Sequence, residues 1–201
     1  MALRSSASVQ ETKDALPILE FRRQRDWEQW LEANHAREAG VWLKFAKKAA
    51  PVRTINHSEA LEVALCYGWI DGQAARHDDH YHLIRFTPRR KRSIWSQLNR
   101  ERAEKLIAEG TMKPAGLAQV EAARADGRWD AAYPAQSQAT VPDDFQRALD
   151  ANPPAKAFFE TLTGSTRYAF LFRLHNVKRA ATRAKRIAAY IELLSEGRTL
   201  D

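Results

Sequence analysis

The sequence predicts an α+β fold: a small sheet of about four strands with helices packed on it, followed by a helical C-terminal half. Up to Pro88, apolar residues at helical spacing alternate with short segments rich in β-branched and aromatic residues. From Ser93 on, the apolar residues keep helical spacing on both sides of a short stretch without period. The 201 residues, 44% apolar and 28% charged, suffice for a sizeable core.

The domain organisation follows from changes in composition along the chain. Residues 131–141 are small and polar and show no period, which is typical of a linker. The first residues hold no apolar run, and no window reaches the ~18 apolar residues of a membrane span. We therefore expect a cytoplasmic protein with no membrane span. Its predicted parts are a disordered tail (1–15), an α+β domain (16–130), a linker (131–141) and a helical C-terminal subdomain (142–201).

The α+β domain is predicted to begin with an edge strand, a helix and a second strand. Residues 16–21 are apolar, and Pro17 is tolerated only near the start or edge of a strand. Asp26 then begins a helix that we expect to end at Gly40. Residues 41–46 follow as the second strand.

A second helix and a hairpin are predicted next. Asn56 and Glu59 form a capping box, after which apolar residues recur at helical spacing up to Gly68. Gly68 permits a backbone angle or a close approach that a residue with a Cβ would resist. Alternation over residues 80–87 indicates a strand, which the preceding segment joins through a hairpin turn.

The remaining segments are predicted to be helical from their apolar spacing and from Pro and Gly at their ends. The expected helices start at Ser93 and end near Gly110, span 114–125 and 142–149, open at Pro153, and span 165–174 and 178–194.

The densest run of cations, Arg89 to Arg92, directly precedes the helix that Ser93 is expected to cap. A helix N-terminus carries about half a positive charge, so cations are disfavoured there by about 0.3–1 kcal/mol unless an anion binds among them. Solvated cations, or ion pairs with carboxylates such as Glu101, are the alternative interpretation. The predicted ligand is a phosphate-like anionic small molecule. Its predicted binding residues are Trp69, Asp71, Arg85, Arg89, Arg90, Arg92, Ser93, Trp95, Ser96 and Asn99.

Asp71 is the best single candidate for a functional carboxylate, because it follows an apolar run and lies near basic residues. General acid or base chemistry needs a second titratable group within reach. A structural role, in which Asp71 caps a turn or pairs with Arg85 or Arg89, is the alternative. The common nucleophile-elbow, phosphate-loop, dinucleotide and zinc-protease patterns are absent from the sequence.

Potential metal ligands are dense at the predicted hairpin turn, but the Asp-Asp pair and the alternation favour a plain hairpin. We therefore predict no metal and no cofactor. These residues are His77, Asp78, Asp79, His80 and His82.

Four further features have a structural or a functional interpretation. Cys66 is the only cysteine, so no internal disulfide forms, and we expect a small buried hydrophobe rather than a nucleophile. The net charge of +7 favours anionic partners. Trp69, Trp95 and Phe86 among cations could stack bases, yet no spacing matches a nucleic-acid motif. Cations near the C-terminus are expected to form a solvated helix face.

Six ordered motifs resemble the bacterial YdeI/OmpD-associated (bacteriocin-protection) family, over about Leu16 to Gly197. They are Gly68-Trp69-Ile70-Asp71-Gly72, Phe86-Thr87-Pro88-Arg89, Ser93-x-Trp95-Ser96-x-x-Asn99, Gly110-x-Met112-x-Pro114-Ala115-Gly116, Asp126-Gly127-Arg128-Trp129 and Thr182-Arg183-x-x-Arg186-Ile187.

The resemblance implies a part in protection against cationic antimicrobial peptides and bacteriocins, in partnership with an outer-membrane porin, and supplies no catalytic residue. We therefore expect a non-enzymatic stress or resistance protein that binds an anionic small molecule or an acidic protein segment. One alternative is an enzyme on an anionic substrate that uses Asp71 as acid or base. Another is a nucleic-acid-binding module.

Overall fold

The computed structural model describes residues 11–200 and confirms the α+β class, with one strand more than predicted. Residues 1–10 of the predicted tail lie outside the described residues. The strands are β1 Thr12–Lys13, β2 Leu16–Leu19, β3 Val41–Ala46, β4 Trp69–Arg76 and β5 Tyr81–Pro88. The helices are α1 Gln24–Asn34, α2 His57–Cys66, α3 Gln97–Ala108, α4 Pro114–Ala125, α5 Asp143–Asp150, α6 Pro153–Thr161, α7 Gly164–His175 and α8 Ala180–Ser195.

The described chain divides into two compact units. The first unit comprises the residues up to Ser93 together with Arg100–Asp130, and the second comprises Ile94–Asn99 together with the residues from Ala131 on. The domain boundaries drawn from composition stay a prediction. No helix of the described residues is both long enough and apolar enough to cross a membrane.

The sheet of the first unit has the order β1-β2-β3-β5-β4, in which β2 and β3 are parallel and the other pairs are antiparallel. The prediction of β2 as an edge strand is wrong, because β1 pairs with its outer side. Asp14 and Ala15 form the two-residue turn between them with φ of 52° and 61°. This left-handed geometry suits the twist of a hairpin but is rare for residues with a Cβ, so nothing in the sequence signalled it.

Helix α1 has boundaries other than those predicted. It begins at Gln24, and Asp26 forms two hydrogen bonds with Arg23 instead of capping the helix. The helix ends at Asn34, well before Gly40. Two side chains at this end form hydrogen bonds with its last carbonyl groups. Asn34 Nδ2 donates to Trp30 O, and His35 Nδ1 bonds to Leu31 O.

Helix α2 and its exit into β4 form as predicted. The capping box is present: Glu59 N donates to Asn56 Oδ1, and Asn56 N donates to Glu59 Oε2. Gly68 then turns the chain with a φ of 73°, and a Cβ there would meet Ala115 O at 2.8 Å. Only glycine combines this backbone angle with such a close approach to α4.

Helix α3 begins at Gln97 rather than at the predicted Ser93. Tyr133 N donates to Trp95 O and Gln97 N donates to Tyr133 O, so this stretch pairs with Tyr133 instead of coiling. Ser96 Oγ accepts from Asn99 N in the manner of an N-cap. Because it donates to Tyr133 O, the backbone amide of Gln97 already has a hydrogen-bond partner.

The second unit is a helical bundle around one apolar core, to which α5, α6, α7 and α8 all contribute. Phe145, Phe159, Phe170 and Tyr190 meet edge to face at its centre, with centroid distances of 5.0–6.3 Å. Asn152 caps α6 through Ala155 N. These helices lie within two residues of their predicted ends where an end was predicted.

An ion pair joins α5 to α8 at the edge of this core. Arg183 Nε lies 2.5 Å from Asp144 Oδ2, and its Nη2 lies 2.8 Å from Oδ1. Arg183 Nη1 also donates to Leu174 O, at the end of α7. The side chains are 23% and 36% exposed, so water screens the pair only in part.

The substitution Asp144→Asn is expected to lower the free energy of unfolding by about 1–2 kcal/mol near neutral pH, because Arg183 loses its charged partner. The hydrogen bonds from Arg183 hold the pKa of Asp144 below its usual value. A depressed folded-state pKa means that the contribution is present above the unfolded pKa, about 3.9, and is lost as pH falls through the folded value. Chemical denaturation between about pH 7 and pH 3 measures this loss.

The matched control is Asp143→Asn, one residue earlier, which removes the same charge but not the pair. We expect a change within about 0.5 kcal/mol. Equal effects of the two substitutions, or an Asp144 effect that does not shrink in acid, would contradict the role of the pair.

Candidate functional site: a basic pocket beside His57 and Asp71

A pocket of about 480 Å³ opens in the first unit where β3 ends, the following loop passes and α2 begins. We call it the basic pocket. Among the described residues, its polar lining comprises Lys47, Lys48, Arg53, Thr54, Asn56, His57 and His82, and no Asp or Glu lines it. A pocket with this lining attracts negatively charged ligands.

The apolar floor of the pocket is Phe45, which lies between the two imidazoles. Phe45 pairs with His82 in the β3–β5 register, and their rings stack at a centroid distance of 5.7 Å. The ring of His57 meets Phe45 edge to face at 6.1 Å. Because Phe45 is buried in the sheet, it keeps both imidazoles in place at the pocket.

Backbone contacts hold the cationic loop against the sheet. Thr54 Oγ1 accepts from Ala46 N, and Ile55 N donates to Phe21 O. Lys47 Nζ donates to the carbonyl of Asp78 at 2.6 Å, a neutral acceptor that leaves the ammonium charge uncancelled. Lys48 and Arg53 form no ion pair with any carboxylate of the described residues.

His57 and Asp71 form a hydrogen-bonded pair at the side of the pocket. The distance from His57 Nε2 to Asp71 Oδ2 is 2.9 Å, with the side chains 45% and 26% exposed. His57 is the first residue of α2, next to its capping box, and Asp71 precedes a β-bulge before Ala74. Bulges re-aim side chains and are frequent beside active sites.

The pair has a definite chemical consequence. An ionised carboxylate only accepts hydrogen bonds, so the proton of neutral His57 lies on Nε2. Nδ1 is then the nitrogen with a free lone pair. A carboxylate that orients an imidazole in this way is a common arrangement for a general base.

A double-mutant cycle with His57→Gln and Asp71→Asn is expected to give a coupling energy of about 0.3–1 kcal/mol in the free energy of unfolding, the range for partly exposed ion pairs. Asp71→Asn combined with His82→Gln is the control, because His82 packs on Phe45 and forms no hydrogen bond with Asp71. These two should be additive. Additive effects in the His57 cycle as well would contradict an energetic link in the pair.

The structure corrects the predicted partner of Asp71. The proposed structural pairing with Arg85 or Arg89 is wrong, since Asp71 pairs with His57. Arg85 lies over the ring of Trp42, 5.9 Å from its centroid, on the strand pair β3–β5. Arg89 is buried, and its N donates to Gly68 O.

The other predicted ligand-binding residues are spread over both units. Trp69 is buried and donates to His35 O, in the first unit. Ser93 Oγ accepts from Arg90 N, which closes a turn, while Arg92 is exposed. The second unit holds Trp95, Ser96 and Asn99. Ligand binding by this set stays a prediction.

His57 and the cations of the loop were missed as site residues by the sequence reasoning. A helix rises about 1.5 Å per residue and a strand about 3.3 Å, so a strand returning along α2 needs only a few residues to come level with its start. That geometry could have indicated His57 as a partner of Asp71. The sequence carried no comparable signal for Arg53.

The potential metal ligands of the predicted hairpin turn include Asp78, whose side chain stabilises the turn. Asp78 Oδ1 accepts from His80 N and Tyr81 N, which closes the turn between β4 and β5. His77 lies near Glu11 and Asp78, at 3.3 and 3.6 Å. Across residues 11–200, no three His, Cys, Asp or Glu side chains converge as metal ligands would.

Cys66 is buried at the end of α2, as predicted. Burial raises the pKa of its thiol to about 11, which keeps it protonated at neutral pH. A protonated, buried thiol is a poor nucleophile.

Two family models match different parts of the chain. Residues 19–119, half of the chain, match the family model described as a domain of unknown function (DUF8412). Residues 138–197 match the model described as "Bacteriocin-protection, YdeI or OmpD-Associated", which confirms the resemblance seen in the sequence. The first match contains the basic pocket, and the second contains α5 to α8. No curated protein and no solved structure matches the chain.

Proposed function

Because the chain belongs to the family of the domain of unknown function (DUF8412), and its C-terminal segment matches the bacteriocin-protection, YdeI or OmpD-associated family, we propose that it is a protection protein that binds an anionic small molecule in the basic pocket. The protective role rests on the description of the second family. The anionic ligand rests on one observation: several cations line a pocket to which the described part of the chain contributes no carboxylate.

The electrostatics support an anion because Glu59 and Asp71, which bond to the lining residues Asn56 and His57, form no ion pair with the lining lysines or arginine. Glu59 accepts from the backbone of Asn56, and Asp71 accepts from His57. The charges of Lys48 and Arg53 are therefore left without a carboxylate partner in the free protein. Like charges held close together repel, and a bound anion relieves the repulsion.

The size and lining of the pocket support a small ligand with one or two phosphate or carboxylate groups. Its volume lies within the range of about 300–1,000 Å³ that small-molecule sites have. Arg53 and the Thr54 hydroxyl can donate to such groups, since forked guanidinium contacts suit oxyanions. Phe45 offers an apolar surface for the remainder of the ligand.

The double substitution Lys48→Ala with Arg53→Ala is expected to weaken binding of phosphate or citrate by about tenfold or more, because two charge-assisted contacts are lost. Isothermal titration calorimetry gives the affinity. Amide chemical shifts should move in the loop between β3 and α2 when the wild-type protein is titrated. In cells that lack the protein, wild type should restore survival under bacteriocin, and the double variant should not.

The control removes the same charge elsewhere in the first unit, with Arg22→Ala and Lys105→Ala, whose side chains pair with Glu20 and Glu109. It should bind as wild type does. Equal weakening in both double variants would mean that net charge alone attracts the ligand. No binding by wild type would contradict the proposal.

The His57–Asp71 pair favours a second candidate function, hydrolysis of a phosphate ester in the same pocket. Here His57 Nδ1 takes a proton from water, the water oxygen attacks phosphorus and the bond to the leaving group breaks. The leaving group departs with the bonding electrons, and His57 returns the proton to solvent. Asp71 would orient the ring and stabilise the imidazolium, in place of the direct acid or base role predicted for it.

The second function predicts turnover of p-nitrophenyl phosphate or its diester. His57→Gln should lower the rate by about a hundredfold, the usual contribution of a general base, and Asp71→Asn should lower it less. Absorbance of released nitrophenolate measures the rate. Absence of turnover with both esters in wild type would eliminate this function and leave ligand binding intact. The porin partner and the cytoplasmic location stay predictions.

A further inference from the structure

The stretch from Arg173 to Arg186 in the second unit carries charges of one sign. Six cations and no carboxylate occur in these residues, which join the end of α7 to the first half of α8. The cations are Arg173, Lys178, Arg179, Arg183, Lys185 and Arg186. A solvated helix face normally mixes both signs of charge, so this stretch calls for a physical reason.

Two nearby arginines of α8 differ in their hydrogen-bond partners. Arg183 is fully engaged, with two bonds to Asp144 and one to Leu174 O. Arg186, less than one turn later, meets only a backbone carbonyl: its Nη1 donates to Arg173 O at 3.2 Å. That bond positions the guanidinium without cancelling its charge. Lys185 beside it has no acidic partner among the described residues.

These uncancelled charges surround a cleft of about 580 Å³ between α7 and α8. Its lining comprises Arg173, Thr182, Lys185, Arg186, Ala189 and Tyr190, again without a carboxylate. We propose that this cleft is a phosphate-binding site, in which Lys185 and Arg186 contact the anion. The cleft lies wholly within the second unit and does not depend on the basic pocket.

A phosphate group fits this arrangement of donors better than it would fit an isolated cation on the surface. Arg186 is anchored through Nη1, so Nη2 and Nε stay available for a forked contact. Thr182 adds a hydroxyl donor from the preceding turn of α8, and small Ala189 leaves space between them. Phosphate accepts several such bonds at once, which a single carboxylate cannot match.

Tyr190 forms a buried wall of the cleft and is part of the bundle core. Burial raises the pKa of its phenol, while Arg186 and Arg173 act in the opposite direction. Both guanidinium groups therefore lie close to the same hydroxyl. A wall anchored in the core fixes one side of the cleft, and repulsion between the neighbouring cations Lys185 and Arg186 is relieved when an anion binds.

The required phosphate group could belong to a free compound or to a lipid headgroup, and the experiment distinguishes the two. Pyrophosphate is titrated into the full chain and followed by amide chemical shifts and calorimetry. Binding to vesicles of phosphatidylglycerol is compared with binding to vesicles of phosphatidylcholine by co-sedimentation. Each measurement is repeated on Lys185→Ala with Arg186→Ala, and on Lys178→Ala with Arg179→Ala.

The second pair is the matched control, because it removes the same charge from the same stretch but does not line the cleft. We expect pyrophosphate to shift amides of residues 173–190, and the cleft variant to weaken that binding about tenfold, with less than a twofold change in the control. Vesicle binding that is lost in the cleft variant alone would assign the phosphate to a lipid. No change at 173–190 and no vesicle binding, or equal loss in both variants, would overturn the proposal.

Discussion

The reversal of the chain at Gly68 is the constraint on which the first unit depends. Its φ of 73° turns α2 into β4, its carbonyl accepts from Arg89 N after β5, and its Cα lies against Ala115 of α4. One residue thus fixes the relation of two helices and two strands. The packing of α2 on α4 is equally close at Gly116, where a Cβ would meet Leu65 O and Cys66 O at about 2.5 Å. Through this reversal, His57 at one end of α2 meets Asp71 in β4.

The fold separates two kinds of cation. Arg183 and Arg128 are held by Asp144 and Asp126 and by backbone carbonyls, so their charges join elements of structure together. Lys48 and Arg53 of the basic pocket and Lys185 of the α7–α8 cleft form no such pair with a carboxylate of the described residues. In the basic pocket and in the α7–α8 cleft, repulsion between neighbouring cations is a cost in the free protein.

Elements with local signals at both ends were predicted well. Helix α4 has Pro114 at its start and Gly127 past its end, and its predicted bounds are those of the structure. Where the deciding contact is distant in sequence, prediction failed. Helix α3 starts late because residues 95–97 pair with Tyr133, and β1 was missed because its turn places Ala15 at a positive φ. Of the candidate site, Asp71 was singled out from the sequence as the best candidate carboxylate, but its hydrogen-bond partner His57 was not identified.

Read alone, the sequence establishes the α+β class, most helices, the capping box of α2 and a family resemblance, because each depends on residues a few positions apart. A hydrophobic period or a helix cap involves residues within one or two helical turns, so it does not depend on the rest of the chain. The basic pocket instead combines the end of β3, a loop, the start of α2 and His82 of β5. Its shape and its lack of carboxylates arise from strand register and from the turn at Gly68. Sequence spacing does not encode such long-range distances, and burial in the folded chain sets which charges are cancelled.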